Sequence, residues 1–256
     1  MVKALPNIDP ALPLDRHPER VWYTSYGSNT HLDRLAAYIR GGRPPGAARE
    51  YPGCRDPAMP ARSIPVELTG ALYFATESLV WGGGRAFYDP RVSGRVLARA
   101  HLVTSGQFAD IAAQEMYRAP DVDLDLEEVL TQRRSVLGEG RYETLVCAGQ
   151  LEGMPVLTFT APWGMNDVPW VPPSAAYVRF LVTGLLSAGA WDMAAIASYV
   201  AACPGATDHW SAEDISALLD TGPDHGTESE RRTGPDHDSG PDHAAGPQHG
   251  TGPRHG

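Results

Sequence analysis

Val21-Trp22-Tyr23-Thr24-Ser25-Tyr26-Gly27-Ser28-Asn29-Thr30-His31-Leu32-Asp33-Arg34 is the stretch on which the fold turns. Its first half is dense in aromatic and β-branched side chains, the composition of a strand. Gly27-Ser28-Asn29 then has the composition of a turn. Leu32, Leu35, Ala36 and Ile39 follow at helical spacing, and Gly41-Gly42 marks the stop. Strand, tight polar turn and helix in that order put free backbone N–H groups at the head of a helix, where an anionic or developing-oxyanion group can be held. The same four residues, Tyr26 to Asn29, also read as a plain strand-to-helix turn.

Outward from this stretch, residues 1–19 are proline-rich and polar, an extended lead-in. Residues 41–65, rich in proline, glycine and arginine, suit a long irregular loop, either a solvated connection or a substrate lid. Ala71–Ala75 and Val96–Val103 read as strands, with turns at Trp81–Gly84 and Asp89-Pro90. Thr104 or Ser105 caps a helix running to Glu115. Phe108, Ile111 and Ala112 share a face of that helix, and Glu115 lies one turn beyond Ile111 on the same side. A carboxylate on a buried stripe is either paired, with Arg99 or Arg118 as partners in reach, or it works. Glu77 is a second candidate acid, and His101 on its strand reads as a satisfied structural histidine.

The acidic run from Asp121 to Glu128 is a solvated loop and helix start. Tyr142–Ala148 and Pro155–Thr160 read as strands joined at Glu152-Gly153. Two helices fill 174–202, and a third, capped by Ser211, runs to Leu219. From Thr221 the composition changes: Gly-Pro-x-His begins at Gly222, Gly234, Gly240, Gly246 and Gly252. With almost no apolar side chain to bury, this tail is expected to be disordered, although its histidines could hold a divalent metal loosely. The expected organisation is a lead-in (1–19), a catalytic domain (20–165), a C-terminal helical extension (166–220) and a tail (221–256).

A net charge of −10 argues against a general nucleic-acid binder. The three cysteines Cys54, Cys147 and Cys203 are widely spaced, form no C-x-x-C pair, and fit a reducing cytoplasm. The most apolar stretch, from Ala175 to Cys203, is broken by Arg179, Gly184, Gly189 and Asp192, so no membrane span is expected. H-E-x-x-H, G-x-S-x-G and G-x-x-x-x-G-K motifs are absent, and outside the tail only His17, His31, His101 and His209 could serve as histidine ligands, without paired spacing.

Trp22 to Arg34 resembles the opening of the γ-glutamyl cyclotransferase-like superfamily, in which a Y-G-S-N loop follows the first strand and a later strand-turn-helix carries a glutamate. Ala98 to Glu115 is similar to that second element in hydrophobic register, and Arg141-Tyr142 resembles the start of the next strand. The resemblance covers roughly residues 20–162. Met116 departs from it, standing where glycine usually follows the glutamate, and residues 119–139 look like an insertion.

What the resemblance implies is a mixed α/β (α+β) fold, a small curved β-barrel or sheet with flanking helices. It also implies a reaction in which a γ-glutamyl amide closes on itself by intramolecular aminolysis, giving 5-oxoproline and a free amine or amino acid. On this reading Glu115 is general acid and base, in an apolar setting that raises its pKa. Gly27 and Ser28 supply backbone donors, Tyr26, Asn29 and Tyr142 line the pocket, and neither metal nor organic cofactor is needed. The alternatives are a non-catalytic anion-binding protein on the same scaffold and an amidase releasing glutamate.

Overall fold

The computed structural model describes residues 4–13, 15–43, 50–78 and 80–220; the Gly-Pro-x-His segment and residues 44–49 of the long loop lie outside them. The elements are β1 (Arg20–Ser25), α1 (Leu32–Arg40), β2 (Ser63–Thr69), β3 (Ala71–Glu77), β4 (Gly84–Asp89), β5 (Arg95–Thr104), α2 (Ser105–Glu115), α3 (Glu127–Gln132), β6 (Arg134–Val136), β7 (Thr144–Leu151), β8 (Met154–Thr160), α4 (Ala175–Ala188), α5 (Met193–Ala201) and α6 (Ala212–Asp220). A 3-10 turn, Ser28–Thr30, separates β1 from α1. This is the expected mixed α/β class.

Six strands form one sheet in the order β2-β5-β1-β8-β7-β6, and β3 pairs with β4 beside it. β1 lies centrally, antiparallel to β5 and parallel to β8. Its alternation assigns its side chains to two cores, as strand geometry requires. Trp22 and Tyr26 join the cluster closed by Val178, Leu181, Ile196 and Ile215 of α4, α5 and α6. Val21 and Tyr23 join the cluster closed by Leu35, Ile39, Phe108, Ile111 and Val129 of α1, α2 and α3. A strand buried on both faces carries apolar residues on both, and Val21-Trp22-Tyr23 does so, with the buried polar Thr24 and Ser25 after it.

Three strands differ from the sequence expectation. β2 lies at the end of the stretch expected to be irregular, with Pro65 inside it paired to Arg99. That position is tolerated because β2 is an edge strand, where a missing N–H costs no ladder bond on the open side. β4 occupies the residues between the two expected turns, and β6 is too short to carry a period. Tyr142 precedes β7 rather than starting it.

α4, α5 and α6 belong to the same compact unit as the sheet. Gly184 explains how closely α4 approaches the rest: a Cβ there would stand 2.3 Å from Thr30 Oγ1 and 2.7 Å from the His31 amide nitrogen. Among the described residues no helix is long and apolar enough to cross a membrane.

Candidate active site

The 27–30 loop is fastened by its carbonyls. Thr30 donates to the Gly27 oxygen through its amide (3.1 Å) and its hydroxyl (2.8 Å), and the His31 amide donates to Ser28 O at 3.1 Å. His101 Nε2 meets Asn29 O at 3.2 Å, and Arg99 Nη1 donates to Thr30 O at 3.2 Å. All four oxygens are thus occupied, two of them by side chains of β5. The amides of Gly27, Ser28 and Asn29 have no hydrogen-bond partner among the described residues, as expected at the head of a helical turn. Gly27 has an ordinary φ of −113°. What it provides is room, because a Cβ would stand 3.1 Å from the Tyr177 hydroxyl.

His101 is fully buried, and burial, followed by the charge of Arg99, lowers its pKa to about 3 against the pull of the Asn29 carbonyl. The ring is therefore neutral. Facing a carbonyl, Nε2 must carry the proton, and Nδ1 then accepts from Ser63 Oγ at 2.8 Å. The structural reading of His101 holds.

Opposite the loop, α2 begins with a capping box. Thr104 Oγ1 accepts from the Gln107 amide, and the Gln107 side chain accepts from the Thr104 amide, both at 3.1 Å. Eleven residues later it ends at the half-buried Glu115. Asn29 Nδ2 lies 3.4 Å from Glu115 Oε1 and 3.2 Å from the Tyr23 hydroxyl. The Tyr38 hydroxyl also bonds Glu115; burial first, then that carboxylate's charge, holds the Tyr38 pKa well above its ordinary value. Arg99 and Arg118, the expected ion-pair candidates, are engaged elsewhere: Arg99 with Thr30 and Ser187, Arg118 with Glu143. The Glu77 side chain is exposed at the end of β3. The left-handed residue after α2 is Tyr117 (φ 59°), so Met116 (φ −80°) sits where no glycine is required.

Loop and carboxylate line one cavity of about 80 Å³. Tyr26, Gly27, Ser28, Asn29, Glu115 and Tyr142 all contribute to its wall. The Tyr26 hydroxyl is committed to the Phe159 carbonyl at 2.7 Å, and that of Tyr142 to the Ala86 carbonyl at 3.1 Å, with its ring stacked on Phe87. These two tyrosines therefore shape the wall and carry no free proton. Tyr177 differs: its hydroxyl accepts from the Ala86 amide at 3.3 Å, and its pKa is pushed up to about 12 by burial, so it keeps a proton to donate.

Arg34, Tyr51, Arg85 and Tyr177 are also among the lining residues. None of these was foreseen. Tyr177 lies far along the chain, and Tyr51 sits in the long loop expected to be a solvated connection or a lid, yet is buried. Arg34 left one signal: four residues before Tyr38, it falls on the apolar face of α1.

No family model matches this chain. Solved structures similar to it include these two. One is titled gamma-glutamyl cyclotransferase, with 17% identity, a TM-score of 0.44, and coverage of 80% of this chain and 100% of that one. The other is an uncharacterised protein from Homo sapiens, with 17% identity, a TM-score of 0.43, and coverage of 79% and 99%. Among curated proteins, Histone deacetylase 5 of Arabidopsis thaliana is 30% identical over 189 residues, 66% of this chain. The chain spans 28% of the length of that relative. Among the described residues no group of three or more His, Cys, Asp or Glu could hold a metal ion.

Proposed function

We propose that the chain is a γ-glutamyl cyclotransferase-type enzyme, converting a γ-glutamyl amide into 5-oxoproline and a free amine or amino acid. The observation that carries this reading is the shared cavity, with three unpartnered loop amides and the Glu115 carboxylate on its wall. An oxyanion needs such donors, fixed in advance in a site with little water.

The reaction needs little else. The substrate's α-amine and γ-carbonyl are tethered, so the five-membered ring closes without an enzyme nucleophile. Glu115 takes a proton from the ammonium; the amine nitrogen then bonds to the γ-carbon, and the carbonyl oxygen gathers charge against the Gly27 and Ser28 amides. As the old carbon–nitrogen bond breaks, Glu115 returns that proton to the departing nitrogen; the ring nitrogen, still carrying two hydrogens, then gives one to Glu115, which passes it to the released amine, so that a neutral lactam and an ammonium leave. Asn29, bonded to both Glu115 and Tyr23, orients the carboxylate. Tyr177 Oη is a further donor at Gly27.

Incubation with a panel of γ-glutamyl amino acids and γ-glutamylamines tests the proposal. 5-Oxoproline should appear in equal amount to the released amine. Free glutamate in its place would identify an amidase, and binding without any product a non-catalytic protein.

A further inference from the structure

Arg34 is in an unusual electrostatic position. It is 3% exposed, and its guanidinium carbon lies 4.8 Å from the ring centre of Tyr51, 5.3 Å from that of Trp81 and 5.6 Å from that of Tyr38. Nη2 donates to the Tyr51 hydroxyl, while Nε and Nη1 are buried with no hydrogen-bond partner. None of the ion pairs among the described residues includes Arg34. Tyr38 cannot neutralise it as a phenolate, since burial and Glu115 keep that hydroxyl protonated.

Cation–π contact with three rings offsets part of the desolvation of a guanidinium, but does not satisfy its N–H groups. A buried cation held in a cage at the wall of an open cavity, with two nitrogens unpartnered, is built to receive an anion. Planar carboxylates are what guanidinium groups recognise best in small organic acids. Arg85, 7% exposed and also in the lining, has an unpartnered Nε of its own. The two arginines give the cavity one more positive than negative charge when Glu115 is ionised.

We infer that Arg34 is a substrate-binding residue that takes a carboxylate of the ligand, separately from the loop amides. The inference deepens the cyclotransferase reading and relies on it for the ligand's identity. A γ-glutamyl amino acid carries two carboxylates, one on the glutamyl head and one on the leaving amino acid, and either could reach the guanidinium.

Three ligands separate these sources: γ-glutamyl-alanine, its analogue with the glutamyl α-carboxylate converted to carboxamide, and its analogue with the alanine carboxylate so converted. Affinities are measured by calorimetry in a Glu115→Gln background, so that nothing is consumed. One of the two carboxamides should bind at least tenfold more weakly than the diacid, and which one it is identifies the carboxylate. In Arg34→Met that ratio should fall to about one. Arg34→Lys, which keeps the charge inside the cage, should weaken the diacid and leave the same carboxamide unchanged, and it serves if the methionine variant does not fold. A ratio that persists in the Arg34 variants, or equal binding of all three ligands when Arg34 is present, overturns the inference. Carboxylate-dependent binding through Arg34 without 5-oxoproline from the unaltered protein would sink the cyclotransferase reading alone. 5-Oxoproline formed equally well from acid and carboxamides would sink this inference alone.

Discussion

Protonating His101 would place a second donor against Ser63 and a charge beside Arg99, inside a fully buried site. The folded protein keeps this ring neutral down to about pH 3, whereas an unfolded histidine takes its proton near pH 6.5. Between those values the unfolded state binds more protons, so stability falls as pH falls, by up to about 1.4 kcal/mol per pH unit from this group. Chemical denaturation between pH 6.5 and 4.5 should show that slope, and His101→Gln should flatten it; an equal slope in the variant would deny His101 the role. The same ring holds Asn29 O, so on the proposed reading the variant's rate of 5-oxoproline formation reports on the loop as well. At this scale, chemistry was more legible than environment. Glu115 announced itself as a carboxylate on an apolar helix face, and the loop by its turn composition. Arg34 left only its place on the apolar face of α1, a weak sign because a helical arginine usually extends its head to water, and the contacts with Tyr51 and Trp81 reveal that this one does not.

Gly184 connects α4 to the loop on which the proposed chemistry depends. Within a helix a glycine costs about 1 kcal/mol relative to alanine, yet here alanine would drive its Cβ into Thr30 and His31. Gly184→Ala should therefore destabilise the fold by roughly 1–3 kcal/mol, as overpacking does, despite its better helix propensity. Denaturant midpoints measure this, and unchanged stability would mean that α4 can retreat without cost. Elements with a clear period or cap were readable: α2 begins at Thr104, one of the two caps expected, and α4 and α5 divide the apolar 174–202 stretch. The strands that escaped notice have physical reasons. β2 contains a proline that only an edge strand accepts, β4 lies between glycines and a proline that read as turns, and β6 spans three residues. β3 pairs with β4 in a two-stranded sheet, a partnership that local sequence does not encode.

Across the whole molecule, the site is a meeting of distant segments. β1 delivers the loop, α2 the carboxylate, the segment after α1 contributes Tyr51, and α4 contributes Tyr177. The helices of residues 166–220, expected as an extension, pack on the same core as the strands and help to wall the cavity. Glu115→Gln is the most direct test of this convergence, since it removes the proposed proton carrier while keeping the side chain's size. 5-Oxoproline release from a γ-glutamyl substrate should fall by roughly 10²–10⁴-fold, with the melting temperature little changed. Undiminished release of 5-oxoproline by a folded Glu115→Gln protein would contradict the account.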